Sequence, residues 1–394
     1  MKLNKNPVRA MRKLKADIRS FQNVRKAAKI AMPEKWDGRK KNILVMVNSL
    51  SRGGAQRVAC RLASGLTAQY NVALLYGSNA RYCYPLDPNV EILTIPALNF
   101  DPGEIVSRLM VRTIKKNLQI DLAISLMLRM NQLNVLSKGK ERVIVSERNN
   151  PVLAHPETFG ETKKIYARAD HVVFQTREVQ SLYDSKTQAH STVLPNPVSV
   201  SVEATAVPSK KIVNAARLHK NKNQEMLIRA FAGFSQRHPE YTLEFYGDGS
   251  MRETLRDLAL CLGIKDKVIF HGNVNDIHEQ IADAACFVLS SNVEGMPNAL
   301  LEAMMMGLPC ISTDCTGAKE VIRDGWNGLL VKVGDEAGLR DALEKMTASP
   351  EFAGMCGKNA KITAQDFRLE TVIEQWIRLF EKEMAAGQSI AKKQ

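Results

Sequence analysis

The chain lacks any apolar run near the about 18–20 residues needed to span a bilayer. Its apolar runs, such as Ile43–Val47 and Leu122–Leu128, have the length of buried strands. It also lacks a Cys-x-x-Cys pair. The seven cysteines, Cys60, Cys83, Cys261, Cys286, Cys310, Cys315 and Cys356, are odd in number and scattered, which argues against a zinc ribbon and against a disulfide framework. Cys286 and Cys310 fall inside apolar runs and read as small core residues, whereas Cys315 follows Asp314 in a loop. No Asp-x-Asp and no histidine cluster suggests a metal, and no internal repeat is visible. No apolar stretch of signal-peptide type follows the basic amino terminus. The expectation is a chain made and kept in the cytosol, needing neither metal nor other cofactor.

The 394 residues suffice for two α/β domains, and 45% hydrophobic with 24% charged residues is ordinary for a globular chain. The charge is not evenly spread. Residues 1–41 hold fourteen Lys or Arg against Asp17, Glu34 and Asp37, a net +11 of the total +14, so the body is nearly neutral. Within that segment Val8, Met11, Leu14, Ile18, Phe21, Val24 and Ala28 recur at steps of three and four, as one face of a helix requires. Residues 8–30 therefore read as a basic amphipathic helix, broken by Asp37-Gly38.

From Asn42 the pattern changes to short apolar strands alternating with helical stretches. Strands are expected at Asn42–Asn48, Val72–Tyr76, Glu91–Ile95, Leu122–Leu126, Arg142–Ser146 and His171–Phe174, with a helix over Gly103–Asn117. After a linker at Ser199–Pro208 a second series runs from Lys211–Ala215 through Thr242–Tyr246, Val268–Phe270, Cys286–Ser290 and Pro309–Thr313. A helix from about Gln365 to Met384 ends it. This alternation implies two parallel, doubly wound α/β sheets facing across a cleft, and ligands of such sheets bind at the carboxyl ends of the strands.

The residues richest in chemistry are Glu294-Gly295-Met296-Pro297-Asn298-Ala299-Leu300-Leu301-Glu302. Pro297 suits the first turn of a helix. The N–H groups of Asn298, Ala299 and Leu300 would then be open to a phosphate, helped by the helix dipole. Glu294 can accept hydrogen bonds from sugar hydroxyls, and Glu302 can reach a ribose diol. Gly53-Gly54 lies between a strand and a helix, where glycine lets a ligand approach the backbone. Gly247-Asp248-Gly249 lies at another strand end.

Together these motifs resemble the group 1 (GT4) family of retaining glycosyltransferases. The Glu294–Glu302 block looks like its donor signature. Arg217-Leu218-His219-Lys220-Asn221-Lys222 looks like its Arg-Leu…Lys motif, and Tyr246-Gly247-Asp248-Gly249-Ser250 like its glycine turn. Ser51-Arg52-Gly53-Gly54 resembles its first glycine loop, and Leu194-Pro195-Asn196-Pro197 the end of its first domain. The resemblance covers roughly residues 42–385 and implies a GT-B fold. Joined to the basic amphipathic helix read at 1–41, it gives a Rossmann-like acceptor domain at 42–198, a donor domain at 199–364, and a helix at 365–394 packing back on the first domain. It implies that Glu294, Arg217 and Lys222 are catalytic, and that Gly53, Gly54, Glu302, Gly247, Gly249, Pro297, Asn298, Ala299 and Leu300 bind the donor. Negative charge grows on a departing diphosphate, and Arg217 and Lys222 are cations placed after a strand to meet it. Many relatives carry a histidine where this chain reads Ser146-Glu147-Arg148-Asn149, so Glu147 or Arg148 is expected to replace that sugar contact. His219, His271 and His278 read as structural or solvent-facing.

The implied reaction moves a hexose or N-acetylhexosamine from a nucleotide sugar, UDP by family frequency, to a glycan or lipid-linked acceptor of cell-surface polysaccharide. Residues 1–35 are expected to hold the enzyme at the inner face of the cell membrane by binding anionic lipid. The pI near 9.4 also admits nucleic-acid binding, but the charge is confined to one helix and no basic patch interleaved with aromatics appears. Another GT-B enzyme, such as a sugar-nucleotide epimerase, is a third reading.

Overall fold

A computed structural model describes residue 27 and residues 29–51, 53–77, 84–94, 105–154 and 156–391. Most of the basic helix expected at 8–30 lies outside the described residues, as do Arg52, Cys83, Ile95, Gly103 and His155. The chain divides into two compact units, Met1–Leu194 with Ile373–Gln394, and Pro195–Val372.

The first unit is built on seven strands: β1 Asn42–Val47, β2 Asn71–Tyr76, β3 Glu91–Thr94, β4 Leu122–Leu126, β5 Arg142–Ser146, β6 His171–Phe174 and β7 Ser191–Val193. All pair in parallel, in the order β3-β2-β1-β4-β5-β6-β7. Every residue of β1 and β2 is buried, because helices cover both faces of a parallel sheet. That is why Ile43–Val47 is uninterrupted rather than alternating. The chain's direction across the sheet reverses between β1 and β4. Ala27 and Trp36 join Leu44, Met46, Met110 and Ile114 in the core of this unit. Asn117 Nδ2 donates to the carbonyls of Ala27 and Ile30, at 3.5 and 3.0 Å. The carboxyl end of the basic segment is thereby fastened to the end of helix Ile105–Asn117.

The second unit has six parallel strands, β8 Lys211–Ala215, β9 Thr242–Tyr246, β10 Val268–Gly272, β11 Cys286–Leu289, β12 Cys310–Thr313 and β13 Leu329–Val331. Their order is β10-β9-β8-β11-β12-β13, so the reversal falls between β8 and β11. Helices Gln224–Arg237, Arg252–Cys261, Ile277–Ile281, Asn298–Met306, Glu336–Ala348 and Pro350–Ala364 cover the sheet. Helix Asn298–Met306 is buried from Leu300 to Met306 and stops at Gly307, whose φ of 87° is the left-handed value that glycine takes without penalty. The last helix, Leu369–Ala391, belongs from Ile373 onward to the first unit. There Trp376 and Phe380 are fully buried, and Glu383 accepts from Arg142 Nη2 at 2.5 Å with His171 Nδ1 3.1 Å away.

Candidate active site

Within the second unit, the loops leaving β8 and β11 lie at the carboxyl ends of neighbouring strands, where the sheet order reverses. Open α/β sheets bind ligands at such a point, and here it carries Arg217, Lys222 and Glu294. Lys222 Nζ donates to Glu294 Oε1 at 2.5 Å, and Ser291 Oγ donates to the same oxygen at 2.6 Å. The two loops are stitched together around this pair. Ser290 Oγ donates to the Lys222 carbonyl at 2.8 Å, Asn292 N–H to the Asn221 carbonyl at 2.8 Å, and Thr313 Oγ1 to the Ser291 carbonyl at 2.6 Å. Ammonium and carboxylate thus sit on backbone that is itself hydrogen-bonded, and both remain partly open to solvent at 25% and 11% side-chain exposure.

Arg217 is exposed on a stretch that is otherwise fixed. Its carbonyl accepts from Gln224 Nε2 at 3.0 Å, and Leu218 beside it is fully buried. Gly247 and Gly249 explain themselves here. A Cβ on Gly247 would meet the Ala216 carbonyl oxygen at 2.2 Å, and one on Gly249 the Leu218 carbonyl oxygen at 2.2 Å. Leu218 N–H donates to the Asp248 carbonyl at 3.1 Å. The glycine turn therefore lies backbone to backbone under residues 216–218 and positions Arg217. This close approach accounts for both glycines without a ligand.

Pro297 departs from expectation. It is the N-cap of helix Asn298–Met306, with φ −79° and ψ 94°, and not a first-turn residue. Its carbonyl accepts the first helical bond, from Leu301 N–H at 3.1 Å. The N–H groups of Asn298, Ala299 and Leu300 are then the three at the helix start with no acceptor within the helix. Asn298 has a second tie: its Oδ1 accepts from Asn196 Nδ2 at 2.6 Å, so Asn196 of Leu194-Pro195-Asn196-Pro197 braces the helix start. Glu302 is buried at 5% exposure, on the second turn of the helix.

Gly317 is a site-supporting residue that sequence patterning did not single out. A Cβ there would lie 2.0 Å from the Gly295 carbonyl oxygen and 2.8 Å from Pro297 Cδ. Only glycine lets the loop after β12 press against the loop that carries Glu294. We expect Gly317→Ala to displace that loop, to lower turnover about tenfold or more, and to cost about 1–3 kcal/mol of stability, the usual range for overpacking. Turnover and urea unfolding of the purified variant check both. Cys315 nearby is buried, and burial first, then the negative charge of Glu294, pushes its thiol up to about 11, which disfavours the thiolate.

The first unit corrects two expectations. Glu147 and Arg148 are not open sugar contacts, for both are buried, at 4% and 5% exposure. Glu147 Oε2 accepts from Tyr166 Oη at 2.8 Å, and Oε1 from the N–H groups of Arg148 and Asn149 at 3.0 and 3.2 Å. Tyr166 in turn accepts from Asn131 Nδ2 at 2.7 Å. Burial raises the Glu147 carboxyl, opposed by these donors. Burial likewise lowers the Arg148 guanidinium to about 9, offset in part by Glu147, and the guanidinium lies over the Trp376 ring at 5.7 Å. The pair is a structural element beneath β5. Gly53 caps helix Gly54–Leu66 in an extended conformation, φ 171°, which any residue adopts. Its N–H donates to Tyr84 Oη at 2.8 Å, and Tyr84 donates back to its carbonyl at 3.1 Å. The Gly53 amide is therefore already engaged. Gly54 follows, exposed, as the first residue of the helix.

Among the other histidines, His219 accepts from Asn221 N–H at 3.3 Å through Nδ1, and His271 stacks on Tyr246 at 4.4 Å with Glu244 2.8 Å from its Nε2. Both serve local structure.

Residues 201–363 match the family described as glycosyl transferases group 1. The chain is 38% identical over 169 residues to the putative glycosyltransferase EpsD of Bacillus subtilis, a match covering 43% of this chain and 44% of that protein. It is 26% identical over 351 residues, 86% of this chain and 97% of the relative, to an undecaprenol-diphosphate-glycan alpha-1,4-N-acetyl-D-galactosaminyltransferase of Campylobacter jejuni. Among solved structures it is similar to Anabaena HepE in complex with UDP and glucose, at TM-score 0.75 and 19% identity over 86% of this chain and 99% of that one. It is also similar to sucrose-phosphate synthase of Thermosynechococcus elongatus, at TM-score 0.76 and 18% identity over 88% and 100%. Two doubly wound parallel sheets of the GT-B kind, with the match to glycosyl transferases group 1 falling on residues 201–363 of the unit that holds Arg217, Lys222 and Glu294, identify the chain as a glycosyltransferase.

Proposed function

We propose that the enzyme transfers a hexose or N-acetylhexosamine from a UDP-sugar, with retention of configuration, to a membrane-associated glycan or lipid-linked acceptor. The observation that carries this reading is the Lys222–Glu294 pair held at the switch point of the second sheet, beside the start of helix Asn298–Met306. The diphosphate lies at the first three N–H groups of that helix. As the glycosidic bond breaks, Arg217 and Lys222 take up the charge that grows on the leaving group. Lys222 is neutralised by Glu294 before the donor arrives, so the incoming diphosphate shares that ammonium and frees Glu294 to accept from sugar hydroxyls. Glu302 accepts from the ribose. No metal is assigned a part. The UDP in the HepE structure supports the choice of nucleotide, and the name of the Campylobacter relative supports an undecaprenol-linked acceptor.

Two variants separate these roles. Glu294→Ala is expected to lower turnover strongly while UDP still binds, and Glu302→Ala to weaken UDP binding first. Calorimetry with UDP and steady-state transfer rates measure both. Equal, wild-type transfer by the two variants contradicts the assignment.

The basic amino-terminal segment provides the membrane contact in this proposal. No helix among the described residues is long and apolar enough to cross a membrane. The helix that fastens the segment turns Ile105 and Leu109 to solvent, at 70% and 53% exposure, on the same stripe as exposed Arg112 and Lys116. Apolar tips beside cations suit an anionic bilayer surface. Flotation with vesicles should require anionic lipid and weaken as salt rises, since screening at physiological strength acts over about 8 Å. Removing residues 1–26, which spares the packed Ala27 and Ile30, should abolish most flotation and leave donor hydrolysis nearly unchanged. Equal flotation of the two proteins contradicts the membrane role.

A further inference from the structure

Glu302 has a neighbour that no motif supplies. Helix Ile277–Ile281 packs on helix Asn298–Met306: Ile281 and Ala282 share a core with Leu300, Leu301 and Ala303. This packing sets His278 beside Glu302, with Nε2 3.7 Å from Oε2 and side chains 16% and 6% exposed. That nitrogen is buried and makes no hydrogen bond among the described residues. Burying a polar nitrogen without a partner is unfavourable by about 1–3 kcal/mol, so its place beside a carboxylate calls for a reason. The separation exceeds a hydrogen bond by less than about 1 Å, a gap that small side-chain rotations close.

We propose that His278 is a positioning residue for Glu302. When the nucleotide binds, Nε2–H closes on Oε2, fixes the plane of the carboxylate and turns Oε1 to the ribose hydroxyls. The physical case is one of preorganisation. A carboxylate accepts in several directions, and an imidazole N–H on one oxygen selects the orientation in which the other serves the diol. Both groups ride on helices joined through a core, so the arrangement persists without the ligand. The inference rests on the reading of Glu302 as the ribose acceptor.

The test is calorimetry of the full-length protein with UDP and with its 2′,3′-dideoxy analogue, on wild type, Glu302→Ala, His278→Ala and His278→Gln. The wild type should prefer UDP by about tenfold or more, the size of one good hydrogen bond. Glu302→Ala should erase that preference. His278→Ala should cut it to about twofold with little change in affinity for the dideoxy analogue, and His278→Gln, which keeps an N–H near the Nε2 position, should retain most of it. A purely structural histidine would weaken both ligands equally, and that result, or an unchanged preference in His278→Ala, overturns the inference while Glu302→Ala upholds the ribose reading. If Glu302→Ala keeps the full preference, the ribose reading falls and the inference with it. Should His278→Ala not fold, loss of the preference in His278→Gln to the level of Glu302→Ala overturns the N–H role.

Discussion

Arg217→Ala should lower the rate of sugar transfer about 10²–10³-fold, the usual effect of removing one preorganised donor from a developing anion. The size follows from how little else at that position can adapt. Leu218 is fully buried, Gln224 holds the Arg217 carbonyl, and the turn at Gly247 and Gly249 fills the space beneath. The guanidinium is thus presented on backbone that needs no rearrangement as charge develops. Arg217→Lys should recover only part of the rate, because an ammonium lacks the planar pair of donors that a phosphate accepts. Lys222→Ala should also slow transfer, and the effect should not add to that of Glu294→Ala, because the two side chains are joined at 2.5 Å. Single-turnover rates for the four single variants and the Lys222→Ala/Glu294→Ala double variant measure this. Added EDTA should leave the wild type unchanged; strong inhibition contradicts an account in which the side chains and the helix N–H groups meet the charge.

Lys115→Ala should destabilise the protein by about 3–5 kcal/mol, the usual cost of leaving one member of a buried pair alone. Lys115 and Glu141 form an ion pair of 2.8 Å with side chains 2% and 4% exposed. Lys115 Nζ also donates to the Asn134 carbonyl at 3.0 Å, and Glu141 accepts from Gly139 N–H. Burial lowers the ammonium to about 8, against the pull of Glu141, and removing the lysine leaves the Glu141 carboxyl buried without its counter-charge. The sign of the double change decides the cause. Lys115→Met with Glu141→Gln should regain much of the loss, because no charge is then left buried, whereas a packing defect would persist. Urea unfolding at pH 7 of the single and double variants separates the two.

What the sequence reveals depends on the range of the interaction. Ile43–Val47 is legible because a strand buried on both faces must be apolar throughout, and helix Asn298–Met306 because Pro297 and Gly307 bracket it. The short strands β7 and β13 are hard to see: Ser191-Thr192-Val193 is half polar, and three residues define no period. Helices Glu336–Ala348 and Pro350–Ala364 carry readable caps, since Asp335 accepts from Gly338 N–H and Ser349 from Phe352 N–H. The alternation of strands and helices read above nevertheless leaves both helices unplaced. The residues around Glu294 follow the same logic. Arg217, Lys222 and Glu294 stand out by motif, but their pairing depends on β8 and β11 becoming neighbours across a span of more than seventy residues. Gly317 is invisible for that reason, since the carbonyl it accommodates belongs to Gly295. The reverse error occurs at Glu147 and Arg148. They look like exposed polar residues after a strand, and only the packing of Tyr166 and Trp376 shows them to be interior.

The central claim is that Arg217, Lys222 and Glu294 form the centre that breaks the bond between nucleotide and sugar. Its most direct test is release of nucleoside diphosphate from a panel of nucleotide sugars by purified wild type and Glu294→Ala, without acceptor. The account predicts slow release from at least one UDP-sugar by the wild type and a large loss in Glu294→Ala, with the variant still folded and still binding UDP. Release at the wild-type rate by Glu294→Ala, or no release from any nucleotide sugar by the wild type, would contradict it.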